Sequence, residues 1–345
     1  MFDRTHGRGS GQGDSCMRRI LVVVSGRADA SPMTPVITAL AVRGFSVPIS
    51  EPVTGEYAPT NPAVRMAGQL RWVTQDIEEH LPDIVLLLGD RYETLAAAAA
   101  ATLARVPIAH IHGGEASFGS FDNQIRDAVT KLAHIHLVAA EPFRERLMAI
   151  GEDPVHIYTV GAPGLDNFPN LPKRTLGKYF LVTYHPPTLA ETGGIKALLK
   201  ALDFFPDYRV IWTGSNADPG GQEIENAVIA WGKADRWTFL ALDAYLKLAR
   251  NAAAIIGNSS AGIIEAPALE VPTVNVGPRQ DGRLKGPSVM DCREHHAEIG
   301  AAIHRALAFV GPFDNPYGGP GASAKIADVL ADIDLDGILV KRWSS

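Results

Sequence analysis

Ile256-Gly257-Asn258-Ser259-Ser260-Ala261-Gly262-Ile263-Ile264-Glu265 is the stretch on which the architecture turns. An apolar run from Ala252 to Ile256 ends in Gly-Asn-Ser-Ser, and a helical pattern then begins that carries a carboxylate further along. The order is strand, tight turn, helix N-terminus. Unpaired amides and two hydroxyls at the positive end of a helix suit a phosphate. Glu265 suits the two hydroxyls of a ribose, as acidic residues do at other nucleotide sites. The stretch therefore implies an α/β chain and, as its ligand, a nucleoside diphosphate.

Working outward, buried-strand patterns alternate with helical ones. Strands are predicted at 19–25, 45–49, 83–88, 107–111, 135–139 and 155–160. Helices are predicted at 32–43, 62–79, through the alanine run 96–101, at 122–132 and at 142–150. The pattern breaks over 161–178, which holds three prolines. It resumes with strands at 179–184, 209–212, 237–240, 253–256 and 273–276. Continuous rather than alternating apolar strands indicate parallel sheets covered on both faces. Two such series imply α/β architecture with two Rossmann-like doubly wound domains and a cleft between them. The expected division is a tail at 1–17, a first domain at 18–172, a second, nucleotide-binding domain at 173–320, and a C-terminal segment at 321–345 whose helix crosses back to the first domain.

The chain of 345 residues is long enough for two such domains. A net charge of −6 gives no basic face for nucleic acid or an anionic membrane, so a phosphate must be held by a few local groups. Two cysteines, Cys16 and Cys292, do not suggest a structural disulfide, and a reducing cytoplasm fits. There is no apolar run of about eighteen residues, so no membrane span is expected. The first seventeen residues are glycine-rich and polar, lack the apolar core of a signal peptide, and read as disordered, with Met17 a second candidate start.

The chemistry-bearing residues gather at strand ends. Ser25-Gly26-Arg27 follows the first strand without a G-x-G-x-x-G spacing, so Arg27 reads either as a phosphate or uracil contact or as a plain surface arginine. Asp90 and Arg91 follow DIVLLL, and Asp90 is either a cleft carboxylate or a helix cap. In His110-Ile111-His112-Gly113-Gly114-Glu115, alternation puts the two histidines on one face, and the glycines turn Glu115 back. Acid–base chemistry suits this group better than a metal, since no H-E-x-x-H or cysteine cluster occurs. His134 and His136 repeat the spacing. Asp122 opens a helix as its expected N-cap, with Arg126 one turn on and able to pair with it. His185, fixed before a proline, ends the first strand of the second series. Asn216 stands in a turn-rich loop, either near a nucleobase or simply in a capped loop. Arg279 ends PTVNVGPR and is apt for a diphosphate oxygen.

Together the blocks GRAD, GDRYE, HIHGGE, FDNQIRDAVTKLAH, YHPPT, NADPG, GNSSAGIIE, VPTVNVGPRQ and NPYG resemble the hydrolysing UDP-N-acetylglucosamine 2-epimerases of sialic-acid biosynthesis, over about residues 19–326. The resemblance implies a glycosyltransferase-B-type fold with a UDP-sugar in the interdomain cleft, no metal or other cofactor, and a dimer or tetramer. It implies loss of the C2 proton and of UDP from C1, then addition of water to the glycal to give free N-acetylmannosamine. Carried over by motif, Asp90, Asp122, His112, Glu115 and His185 are the catalytic candidates. Arg27, Arg91, Arg126, Asn216, Ser259, Ser260, Glu265 and Arg279 are the substrate-binding ones. Two positions depart from the family. Its best-known members read H-I-E-G-G-E where His112 stands here, although members acting on 2,4-diacetamido sugars for legionaminic acid carry histidine. Asp127 replaces a histidine usual after the arginine. Either His112 substitutes for the glutamate, or Glu115 does, or the substrate differs. The other readings are a 2-epimerase on a 2,4-diacetamido nucleotide sugar, a non-hydrolysing 2-epimerase, a glycosyltransferase of the same fold, and a nucleotide-sugar sensor without turnover.

Overall fold

The computed structural model describes residues 17–51, 61–168, 173–186, 194–215, 220–237 and 242–342. Twelve strands are found among them. In the first half they are β1 (Ile20–Val23), β2 (Ile49–Ser50), β3 (Ile84–Leu88), β4 (Ile108–Ile111), β5 (Ile135–Val138) and β6 (Ile157–Thr159). The second half holds β7 (Tyr179–Thr183), β8 (Arg209–Trp212), β9 (Ala234–Arg236), β10 (Ala254–Gly257), β11 (Thr273–Val276) and β12 (Val289–Cys292). Each half forms one six-stranded sheet, and every pairing is parallel. The orders are β2-β1-β3-β4-β5-β6 and β12-β11-β10-β7-β8-β9. Strand order therefore reverses between β1 and β3 in the first sheet and between β7 and β10 in the second. Open parallel sheets bind ligands beyond the carboxyl ends of strands at such reversals.

The crossovers are α1 (Arg27–Val42), α2 (Pro62–His80), α3 (Tyr92–Leu103), α4 (Asp122–Leu132) and α5 (Glu141–Ala149) in the first half. In the second they are α6 (Gly194–Leu202), α7 (Gly221–Trp231), α8 (Leu242–Asn251) and α9 (Ala261–Ile264), and α10 (His296–Ala308) follows the last strand. Strands β1, β3, β4 and β5 are buried along their whole length because helices cover both faces. One apolar cluster on the second sheet joins Phe180, Val182 and Trp212 to α6 and α10. Another runs through both halves, from Phe143 and Leu165 to Ile255 and Ile263.

The last helix, α11 (Ala322–Asp332), lies on the first half, where Ile326, Ala327 and Leu330 join the cluster of Met33, Val36 and Leu40. Asp166, in a short 3-10 turn after β6, caps it by accepting from the amides of Gly321, Ala322 (3.2 Å) and Ser323 (2.6 Å).

Several boundaries differ from the sequence reading. Helix α1 begins directly after Gly26 and carries Pro32 and Pro35 inside it, so proline marks no start here. The 45–49 strand shrinks to an isolated Arg19–Ser46 bridge and β2. The strand expected at 237–240 stands at β9, with 238–240 outside the described residues. The helix after Ser260 is a single turn, because Pro267 lacks a donor and Gly262 fits tightly against Thr273. The tail at 1–16, with Cys16, lies outside the described residues. Among the described residues, no helix is long and apolar enough to cross a membrane.

Candidate active site at the meeting of the two halves

Beyond the carboxyl end of β3, Asp90 does not cap α3, whose N-cap is Arg91 without a side-chain bond. Its Oδ2 instead receives Arg126 Nη2 from α4. Arg126 is 1% exposed and also donates to Glu115 O (2.9 Å) and Ser117 Oγ (3.1 Å). Its guanidinium therefore binds Asp90 to the 115–117 loop and does not pair with Asp122 as the helix spacing allowed. Asp122 is not the expected cap either. The N-cap is Phe121 in helical geometry, Asp122 is the first residue of α4, and its amide faces Ser120 Oγ at 3.3 Å. Its carboxylate looks across to Arg279 Nη2 at 3.9 Å. Asp127, at the departing position, pairs with Arg146 at 3.0 Å. Arg91 pairs with Glu93 at 3.1 Å and lies over the Tyr92 ring.

The HIHGGE block divides its two histidines. His110, inside β4, is fully buried, bonds Gly89 O at 2.8 Å, and is pushed down to about 4 by burial. The strand ends at Ile111, so alternation does not carry His112 onto His110's face. His112 adopts left-handed backbone (φ 64), a conformation unusual for a non-glycine residue and often found at functional sites. Its Nδ1 meets Glu115 Oε1 at 2.5 Å. Burial raises Glu115, but Arg283 and His112 outweigh that and hold it below the usual carboxylate range. An ionised carboxylate only accepts, so Nδ1 carries the proton. Nε2 bonds to no described residue.

In the second half, the ends of β7 and β10 are tied through Asn258. Its Oδ1 accepts from the His185 amide (2.7 Å) and its Nδ2 donates to the His185 carbonyl (2.8 Å). Gly257 (φ 142) packs so closely on Thr183 that a Cβ would lie 1.8 Å from Thr183 O, which excludes any side chain there. The His185 imidazole is pushed down to about 3 by burial and by the neighbouring Arg279 and Arg91. It is therefore neutral at pH 7. The Ser259 and Ser260 amides donate to no described acceptor, and Ser259 Oγ faces Ala261 N at 3.4 Å. Because α9 has one turn, its dipole adds little, and an anion there would be held by the hydroxyls, the amides and Arg279. The carboxyl of Glu265 is raised to about 7 by burial. Its Oε1 is so near Gly164 that a Cβ there would come within 3.4 Å.

The halves touch at this point. Gly119 lies against Pro278, where a Cβ would meet Pro278 O at 2.2 Å, and the Phe118 amide donates to Asp281 O at 2.9 Å. Arg279 Nη1 donates to Asn258 O at 3.2 Å while its other nitrogen faces Asp122. Asp90, His112, Glu115, Asp122, Arg91 and Arg126 thus meet His185, Arg279 and the Ser259–Ser260 turn in one region. The side chain of Arg27 and all of Asn216 lie outside the described residues. Sequence reading missed Arg283, which pairs with Glu115 and stands 4.0 Å from Asp90, and Gln280, whose Nε2 donates to Asn258 O at 2.9 Å. The only signal was a second arginine four residues after Arg279, on a turn led by Pro278.

His134 lies just before the amino end of β5, and His136 lies inside that strand opposite His110. His134 Nδ1 accepts from Ile108 N (3.1 Å), and His136 Nε2 bonds Glu152 (3.0 Å). Among the described residues, no three His, Cys, Asp or Glu side chains are grouped so as to hold a metal ion.

The chain is 34% identical over 273 residues to a polysialic acid biosynthesis protein P7 of Escherichia coli, covering 72% of this chain and 70% of that one. It is 32% identical over 302 residues to a UDP-N,N'-diacetylbacillosamine 2-epimerase (hydrolyzing) of Legionella pneumophila, covering 82% and 80%. In fold it is similar to the crystal structure of Methanocaldococcus jannaschii UDP-GlcNAc 2-epimerase in complex with UDP-GlcNAc and UDP, with TM-score 0.79, 16% identity, and 91% and 99% of the two chains covered. The glycosyltransferase-B-like arrangement of two parallel sheets is common to both. The family model for UDP-N-acetylglucosamine 2-epimerase matches residues 41–331, most of the chain, and this protein belongs to that family.

Proposed function

We propose that the protein is a cytoplasmic, hydrolysing 2-epimerase of a UDP-2-acetamido sugar, turning UDP-N-acetylglucosamine or a close relative into UDP and a free sugar of the N-acetylmannosamine type, the kind used for sialic acids. The observation that carries this reading is the His112–Glu115 pair, 2.5 Å apart, which Arg283 links with Asp90 to the half that carries Arg279 and His185. A C2 hydrogen with no carbonyl next to it is a poor acid, so elimination needs a positioned base and stabilisation of the departing diphosphate.

In this scheme a sugar held by its UDP at Ser259, Ser260 and Arg279 presents C2 to the first half. His112 Nε2 takes the C2 proton as the C1–O bond to UDP breaks, leaving a C1=C2 double bond. Neutral His185 donates a hydrogen bond from its ring N–H to the leaving oxygen, and UDP departs as an anion stabilised by Arg279 and Arg91. Water, oriented by Asp90 and Asp122, then adds its oxygen to C1 and gives its proton to one of these carboxylates, from which C2 is protonated on the face opposite His112, while His112 releases its proton to solvent. Glu265 accepts from the ribose hydroxyls. Arg126 acts by holding Asp90, since its own guanidinium is buried and engaged.

A second substrate has its own support. The Legionella pneumophila relative is named for a diacetylated sugar, and His112 departs from the glutamate of the best-known members. A 2,4-diacetamido nucleotide sugar is therefore the first alternative to assay. Both substrates are tested by incubating the protein with each nucleotide sugar and identifying products. Free 2-epimerised sugar with equimolar UDP is expected. An epimerised nucleotide sugar would replace this reading with a non-hydrolysing one, and turnover only with an added acceptor would replace it with a transferase.

A further inference from the structure

Arg283 has no role in the scheme above, yet its side chain crosses the cleft to the carboxylates of the first half. It sits on the loop after β11, in the nucleotide-binding half, and is 10% exposed. Its Nη1 engages Glu115 Oε2, and its Nη2 lies 4.0 Å from Asp90 Oδ2. Behind it, Nε donates to Gln280 Oε1 at 2.6 Å, and Gln280 Nε2 donates to Asn258 O at 2.9 Å. Asn258 in turn grips the backbone of His185 from both sides. One unbroken run of hydrogen bonds therefore leads from His185, beside the diphosphate position, to Glu115 Oε2. The other oxygen of that carboxylate holds His112 Nδ1.

We infer that Arg283 is a positioning residue that sets the tautomer of His112 from the opposite half of the molecule, by keeping Glu115 ionised and oriented. The inference rests on His112 acting as the base and says how it is made ready. Glu115 is 1% exposed, and a carboxylate so buried loses its charge unless cations compensate. The cation nearest its side chain is Arg283 and the His112 Nδ1–H is its other donor, whereas Arg126 and Arg146 donate to its backbone carbonyl. Without Arg283, Glu115 becomes protonated or turns away, and the Nδ1–H bond that fixes the imidazole is lost. A neutral imidazole is then free to carry its proton on Nε2, where it cannot accept one from C2. Since Arg283 arrives only when the halves meet as they do here, an open cleft has no prepared base. That arrangement would limit idle chemistry before the nucleotide is seated.

The test is nitrogen-15 NMR of histidine-labelled, full-length protein, with His112→Gln used to identify the ring. Wild type should show His112 protonated at Nδ1 and bare at Nε2. Arg283→Met should shift the ring to Nε2–H or to a mixture. It should also lower kcat about tenfold to a hundredfold, as loss of base positioning does, while UDP binding is retained because Ser259, Ser260 and Arg279 are untouched. Arg283→Lys, which keeps the charge, should restore the tautomer and part of the rate. Retained UDP binding and an unchanged far-UV circular dichroism spectrum show that the variants are folded. An identical His112 tautomer in wild type and Arg283→Met overturns the inference, as does a lysine variant no better than methionine. A wild-type protein with the expected tautomer that turns over no nucleotide sugar would instead count against the proposed function and leave this coupling standing.

Discussion

Two H-x-H pairs stand on neighbouring strands, and their fates differ. His110 and His136 lie opposite one another in the register of β4 and β5. His110, His134 and His136 are core histidines, bonded to Gly89 O, Ile108 N and Glu152. Glu152 is held at about 2 because its bonds to His136, Lys131 and Lys341 outweigh the effect of burial. His112 alone of the four lies past the carboxyl end of its strand, in left-handed backbone, with one ring nitrogen fixed by a carboxylate and the other unengaged. Sequence spacing made the two pairs look alike. Whether a histidine falls within the sheet or past the carboxyl end of its strand separates a packing group from a reactive one.

The sharpest way to break the comparison is to remove one histidine from each pair. His112→Gln should lower kcat by roughly two to four orders of magnitude, the scale of a lost acid–base group. His136→Gln should leave turnover nearly intact and lower the unfolding free energy by about 1–3 kcal/mol, the cost of stripping a partner from a buried carboxylate. Steady-state kinetics and chemical denaturation measure both, and the reverse pattern would overturn the distinction. His185→Ala belongs with the first, with a loss of similar scale in kcat.

The core pair has its own pH signature. His110 and His134 are each pushed down to about 4, mainly by burial. A histidine with a depressed folded value contributes stability that is complete above its unfolded value near 6.5 and is lost as pH falls towards 4. Denaturation midpoints should therefore decline across that window, by on the order of 3 kcal/mol for the fully buried His110. His110→Gln should flatten the decline, and a slope unchanged in that variant would contradict the assignment.

Smaller effects probe the other half and the closing helix. Ser260→Ala should weaken UDP binding by roughly tenfold, the value of one hydrogen bond to a charged group, read by calorimetry. Asp166→Ala should destabilise the protein by about 1–2 kcal/mol through loss of the α11 cap, with kcat unchanged.

Much of this was legible in the chain. Uninterrupted apolar runs such as ILVV and IVLLL gave parallel sheets, and the end-of-strand positions of Asp90, His112, His185 and Ser259 followed from them. Local signals failed where tertiary contacts decide. Asp122 has the composition of a cap, but the chain is already helical at Phe121, so the cap geometry never arises. Arg126 has the spacing to pair with Asp122, but burial turns it to Asp90. Arg283 could not be read at all, because its partner lies 168 residues earlier and is reached only by the docking of one half on the other.

The most direct test is turnover in heavy water with the C2 position of the released sugar followed by NMR. One solvent deuteron at C2, formed together with UDP, is the predicted result. Protium retained at C2 would contradict the removal of the C2 proton by His112, and with it the assignment of this cleft to elimination.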